Sequence, residues 1–117
     1  MSQPRRRPRA TPPGELVPLE RARIERALRK RSRYRYVQPR VVREGKGWKI
    51  VSPNCSRAID PQGGEIDIVW FEPAGAGRWA LHARDHAAGA WLHQATGLAL
   101  DDALHIVCAD PLGRYWP

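Results

Sequence analysis

From Ile66 to Gln94 the chain repeats one pattern, short apolar alternations closed by glycine- and proline-bearing turns, and no other feature constrains the fold as much. Ile66, Ile68 and Trp70 alternate with Asp67 and Val69, and 73–77 interrupts. Trp79, Leu81 and Ala83 resume the alternation, 85–89 interrupts again, and a last short strand runs from Trp91 to Gln94. Successive side chains of a strand point to opposite faces, so period two predicts strands with one buried face. Upstream, Tyr34, Tyr36, Val41 and Val42 are strand formers, and Pro39, which cannot donate to a ladder, marks an edge or a bulge. Glu44-Gly45-Lys46-Gly47 supplies turn chemistry before Trp48, Ile50 and Val51, which predicts a hairpin, and 53–64 is a long connection rich in turn residues.

Helical spacing flanks this β region on both sides. Val17, Ile24 and Leu28, with Ala27, share one face of a helix expected over 18–32, where Pro18 suits the first helical position and Glu25 precedes Arg29 by four residues. Its other faces carry Arg21, Arg23, Arg26, Arg29, Lys30 and Arg31. Leu100, Ala103, Leu104, Val107 and Cys108 form the stripe of a second helix, with Asp101 and Asp102 at the positive end of its dipole and Asp110-Pro111 as its stop. Tyr115 and Trp116 are expected to fold back on the sheet, because exposing both rings forfeits apolar burial. The fold class is therefore α+β: an N-terminal helix, a mostly antiparallel sheet of four to five strands, and a C-terminal helix packed on one sheet face.

A chain of 117 residues supports one domain, expected over 16–117. Residues 1–15 hold four prolines and four arginines with few apolar side chains, and read as a disordered basic arm. No apolar run approaches the roughly 18 residues of a membrane span, and the N-terminus lacks the apolar stretch of a secretory signal. Two cysteines outside any CxxC pair, Cys55 and Cys108, make no disulfide framework. The expectation is a cytoplasmic protein with no membrane partner.

Charge is the first pointer to function. Residues 1–43 carry thirteen arginines and Lys30 against three glutamates, a net +11, whereas 44–117 carry −3. A one-sided positive field attracts polyanions, with nucleic acid the first to consider. Arg5, Arg6, Arg7 and Arg9 suit a mobile electrostatic arm. Arg26, Arg29, Lys30, Arg33 and Arg40 suit a fixed phosphate-binding surface, with Tyr34 and Tyr36 as stacking platforms for unpaired bases. Arginine outnumbers lysine here, which favours bidentate phosphate contacts. The competing readings are a solvated basic helix and core-facing tyrosines.

The stretches RYRYVQPRV (33–41), GWKIVSPNCSR (47–57), DPQGGEIDIVWFEP (60–73), LHARDH (81–86) and DPLGRYWP (110–117) resemble a family of short bacterial proteins known only as a domain of unknown function. The resemblance spans 24–117, implies a compact domain and carries over no catalytic residue. Separately, Gly64-Glu65-Ile66-Asp67 looks like the acidic strand that holds Mg²⁺ in restriction-endonuclease-like folds, with Glu65 and Asp67 on one face. The E-x-K pair expected on the following strand is missing from 79–84, so both carboxylates read equally as the polar face of a half-buried sheet. His82 and His86 on a strand stand about 13 Å apart, too far to share an ion, and a site joining them to His93 or a cysteine needs tertiary convergence. Cys108 lies on the apolar helix face, and Cys55, beside Arg57, has no partnered histidine. The five tryptophans suit one large core, while any left exposed on the sheet marks a partner-binding face.

The chain thus reads as a non-enzymatic basic module, with no cofactor or metal expected, that contacts nucleic acid or a ribonucleoprotein without strong sequence specificity. One alternative is an adaptor docking its basic helix on an acidic protein, and another is a metal-dependent nuclease using Glu65 and Asp67.

Overall fold

A computed structural model describes residues 18–56 and 58–117, so the expected arm at 1–15 lies outside the described residues. The elements follow as α1 (Leu19–Leu28), β1 (Arg40–Glu44), β2 (Gly47–Pro53), β3 (Glu65–Gly75), β4 (Arg78–Asp85), β5 (Ala90–Leu98) and α2 (Leu100–Ala109). The five strands form one sheet in sequence order, every neighbouring pair antiparallel. This is the α+β architecture that the alternation and the flanking helical stripes predict.

Both helices lie on one sheet face, α1 against α2 and β1, and α2 against β4. Ile24 and Leu28 of α1 and Leu100, Ala103, Leu104 and Val107 of α2 join Val41, Trp48, Ile50, Ile68, Phe71, Trp79 and Leu81 in one core, closed at the end by Tyr115 and Trp116. The aromatic tail folds inward as expected. Asp110, in the left-handed conformation at the end of α2, is 1% exposed. Its carboxylate accepts the backbone N–H groups of Arg114 (2.7 Å), Tyr115 (3.3 Å) and Trp116 (3.0 Å), and the Trp116 indole N–H donates to the Val107 carbonyl at 3.1 Å.

Four sequence expectations are corrected. The first helix ends at Leu28, short of 32, and 29–39 is a run of turns in which Tyr34 is left-handed (φ 56°). Arg31 in this run is buried. Its guanidinium donates to the carbonyls of Leu28, Tyr34 and Val37 and lies 5.2 Å from the Trp116 ring centroid, which ties the turns together, while the Ser32 N–H that would continue the helix donates to the Cys108 carbonyl at 2.9 Å. Burial lowers the Arg31 pKa from its usual high value. Tyr34 and Tyr36 therefore precede the sheet, and β1 begins only at Arg40.

In β3, Ile66 and Ile68 are buried as expected, but Trp70 faces away from the helices. Ile50 pairs with Val69 while Val51 pairs with Asp67, so Ile68 is an extra residue in β3. That bulge reverses the alternation beyond it and buries Val69 and Phe71 in place of Trp70. The last strand extends through Leu98, past the expected Gln94, because register shifts in its pairing with β4 carry it around Gly97 (φ 81°).

Candidate functional site

The cations expected to meet phosphate fall into distinct environments. Arg26, Arg29 and Lys30 are exposed at the C-terminal end of α1, and no carboxylate among the described residues lies within ion-pair distance of them. Arg35, which sequence reasoning left out, is also exposed and lines a depression with Arg29, Glu25, Val37 and Pro39. Arg33 is only partly available, since its Nε lies 3.3 Å from the Asp110 carbonyl and 3.8 Å from the Asp110 carboxylate. Arg40 donates twice to Glu65, at 2.7 and 3.1 Å. That pairing raises the Arg40 pKa and lowers that of Glu65. Arg5, Arg6, Arg7 and Arg9 lie outside the described residues.

The two tyrosines separate. Tyr36 is 83% exposed beside Arg35, as a stacking platform requires. Tyr34 is 9% exposed, its ring centroid 5.7 Å from that of Trp116, and burial raises its pKa. A ring packed in the core offers no face to a base, so Tyr34 is a core residue.

Between α1 and α2 runs a groove of about 590 Å³ with a floor of Ala27, Leu104 and Cys108 and walls that include Arg26, Lys30 and His105. The Arg23 guanidinium bonds Asp101 at its margin. Burial pushes the Cys108 thiol up, against the opposing pull of Arg31, and its Sγ lies 3.4 Å from the Ala27 carbonyl. Cys55 is exposed in the 54–64 loop.

The sheet face away from the helices holds Glu65 and Asp67, where alternation places them, and Trp70, which alternation places on the buried face. Asp67 sits between Lys49 (3.1 Å) and Arg84 (3.6 Å), and Lys49 also meets Glu44 at 3.4 Å. Glu65 and Asp67 share this face, as alternation requires, but each carboxylate is matched by cations. Among the described residues no three His, Cys, Asp or Glu side chains converge on a metal-holding cluster. His82 finds His93 across the strands, ring centroids 5.4 Å apart, and its Nε2 lies 2.9 Å from Glu72 Oε1. His86 lies beyond β4, where burial and the Arg84 charge lower its pKa against the pull of Asp67 and Asp85. Trp48, Trp79 and Trp116 are core residues, whereas Trp70 and Trp91 are only partly buried, on the open face. The register bulge hides the place of Trp70 from a sequence pattern.

Fold and surface together define a two-layer α+β module, basic on its helical side and aromatic on its open sheet face. Residues 12–117 match the model of a family described as a domain of unknown function (DUF3024), and the chain belongs to that family. No curated protein and no solved structure matches it. Among the described residues no helix is long and apolar enough to cross a membrane.

Proposed function

We propose that this protein is a cytoplasmic binding module that contacts nucleic acid, alone or within a ribonucleoprotein, without strong sequence specificity. One observation carries the reading: around the end of α1, Arg26 and Lys30 on one groove and Arg29 and Arg35 on another stand exposed without carboxylate partners among the described residues. Other cations are paired, as at Arg40–Glu65 and Lys49–Asp67, while Arg43, Lys46 and Arg78 stand exposed singly along the strands and their turns. Guanidinium groups left unpaired match phosphate oxygens bidentately, and such contacts position a backbone without reading bases. The expected arm at Arg5, Arg6, Arg7 and Arg9 extends the same field.

Four phosphate contacts predict an affinity for duplex DNA that falls roughly a hundredfold between about 50 and 200 mM salt. Anisotropy titrations with single- and double-stranded DNA and RNA check this, and Arg29→Glu with Lys30→Glu should weaken all sequences alike. Affinity that ignores salt overturns the reading. A second reading rests on the groove between α1 and α2, whose apolar floor and cationic wall fit an acidic amphipathic segment of another protein. A protein ligand that heparin fails to displace supports that shaped interface instead.

A further inference from the structure

The register of the sheet aligns one row across all five strands on the open face: Val42, Lys49, Trp70, His82 and His93 are successive cross-strand partners. Three of the five are aromatic, and they touch. Trp70 stacks on His82 with ring centroids 4.7 Å apart and planes 27° from parallel, and His93 meets His82 edge-on. Trp91, from the neighbouring row, lies 6.0 Å from Trp70 and carries the Arg84 guanidinium at 4.8 Å. Solvated faces of antiparallel sheets alternate toward polar side chains, so four contacting rings on such a face depart from the pattern that water alone selects.

Three of the rings are also held by hydrogen bonds. The Trp70 indole N–H donates to the Glu44 carbonyl at 3.1 Å, Glu72 holds His82, and Thr96 bonds His93. The charges alternate, with Lys49 and Arg84 on either side of Asp67, so cations stand beside the rings while the face as a whole stays nearly balanced. A ligand suited to it offers flat, neutral rings to stack, since Lys49 and Arg84 are already paired with Asp67. Unpaired nucleobases on a phosphate backbone have that form, whereas duplex bases keep their faces against one another.

We propose that the open sheet face takes the unpaired bases of a single strand of nucleic acid, with Trp91 and His93 as the stacking surfaces and Trp70 and His82 as the floor that holds them in place. This rests on the nucleic-acid reading above and adds to it a preference for single strands over duplexes. Binding at the helix depends on salt and ignores strandedness. Binding at the balanced sheet face depends on strandedness and adds little salt dependence.

The test follows the five indole N–H signals of the full chain by NMR, assigned with Trp→Phe variants, during titration with an oligothymidylate and with a duplex of equal length. The oligothymidylate should move the Trp70 and Trp91 signals and leave those of Trp48, Trp79 and Trp116 in place, and the duplex should move none. Trp91→Ala and His93→Ala, both on the edge strand β5, should each weaken oligothymidylate binding about tenfold, with an unchanged salt slope and unchanged duplex affinity. A well-dispersed spectrum shows that each variant is folded. Oligothymidylate binding that leaves the Trp70 and Trp91 signals unmoved overturns the sheet-face assignment alone. Failure of every nucleic acid to bind overturns both readings.

Discussion

Asp110 shows how much one side chain organises here. Its carboxylate, almost without access to water, holds three successive backbone N–H groups and thereby sets the path that returns Tyr115 and Trp116 to the core. Asp110→Ala leaves those donors buried without an acceptor, and the expected cost is about 3 kcal/mol, read as a shifted midpoint in urea unfolding. His86 acts on stability with a defined sign. Burial and Arg84 hold its folded pKa below the ordinary value of about 6.5, so between those values the unfolded chain binds a proton that the folded chain refuses. Its stability contribution is full above the ordinary value and is lost as pH falls toward the folded one. His86→Gln should flatten this part of the pH dependence, and unfolding midpoints measured from about pH 7.5 down to 5 decide it. Asp110 could be read from the sequence only as a helix stop. Its carboxylate meets a segment that must first fold back, and spacing along the chain does not show that return.

Turns and bulges decide which face each strand presents. The β3–β4 hairpin closes through Ala76 and Gly77, both with positive φ (54° and 72°). A two-residue turn of that type favours Asn or Gly at its first central position, and alanine there carries left-handed strain. Ala76→Asn should therefore stabilise the protein by about 1 kcal/mol in thermal or urea unfolding. Gly47 is constrained in another way: a Cβ there would stand 1.9 Å from the Phe71 carbonyl oxygen, so Gly47→Ala must push β2 away from β3. The expected cost exceeds about 2 kcal/mol, with amide signals of β2 and β3 displaced together. The strands, their antiparallel order and α2 were legible because apolar period and turn residues are local signals. The Ile68 bulge was not, because Ile66, Ile68 and Trp70 satisfy an unbroken alternation equally well and only pairing with β2 reveals the extra residue. The place of Trp70 in the aromatic row follows from that insertion, and the partnering of His82 with His93 follows from register shifts between β4 and β5, which no residue pattern announces.

At the scale of the molecule, the excess of basic residues in the first third of the sequence becomes an uneven surface. Counting residues locates the excess, but the cations left free are set by partners far away in sequence: Arg23 meets Asp101, Arg33 meets Asp110 and Arg40 meets Glu65. Each of these bridges neutralises part of the +11 segment, and among its described residues Arg26, Arg29, Lys30 and Arg35, around the end of α1, and Arg43, over the Trp48 ring, stay exposed without a carboxylate partner. Two variants separate free charge from paired charge. Exchanging Arg40 and Glu65 keeps the bridge and the net charge, and nucleic-acid affinity and its salt slope should stay as they are. Arg29→Glu with Lys30→Glu lowers the formal net charge from +8 to +4, all of the change within the unpaired cluster. Association should then slow and the salt slope flatten by about two phosphate contacts, because steering follows the local field. Stopped-flow association at two ionic strengths reads both quantities. Equal losses in the two variants would show that any basic residue of the first third serves, and that the field has no focus at the end of α1.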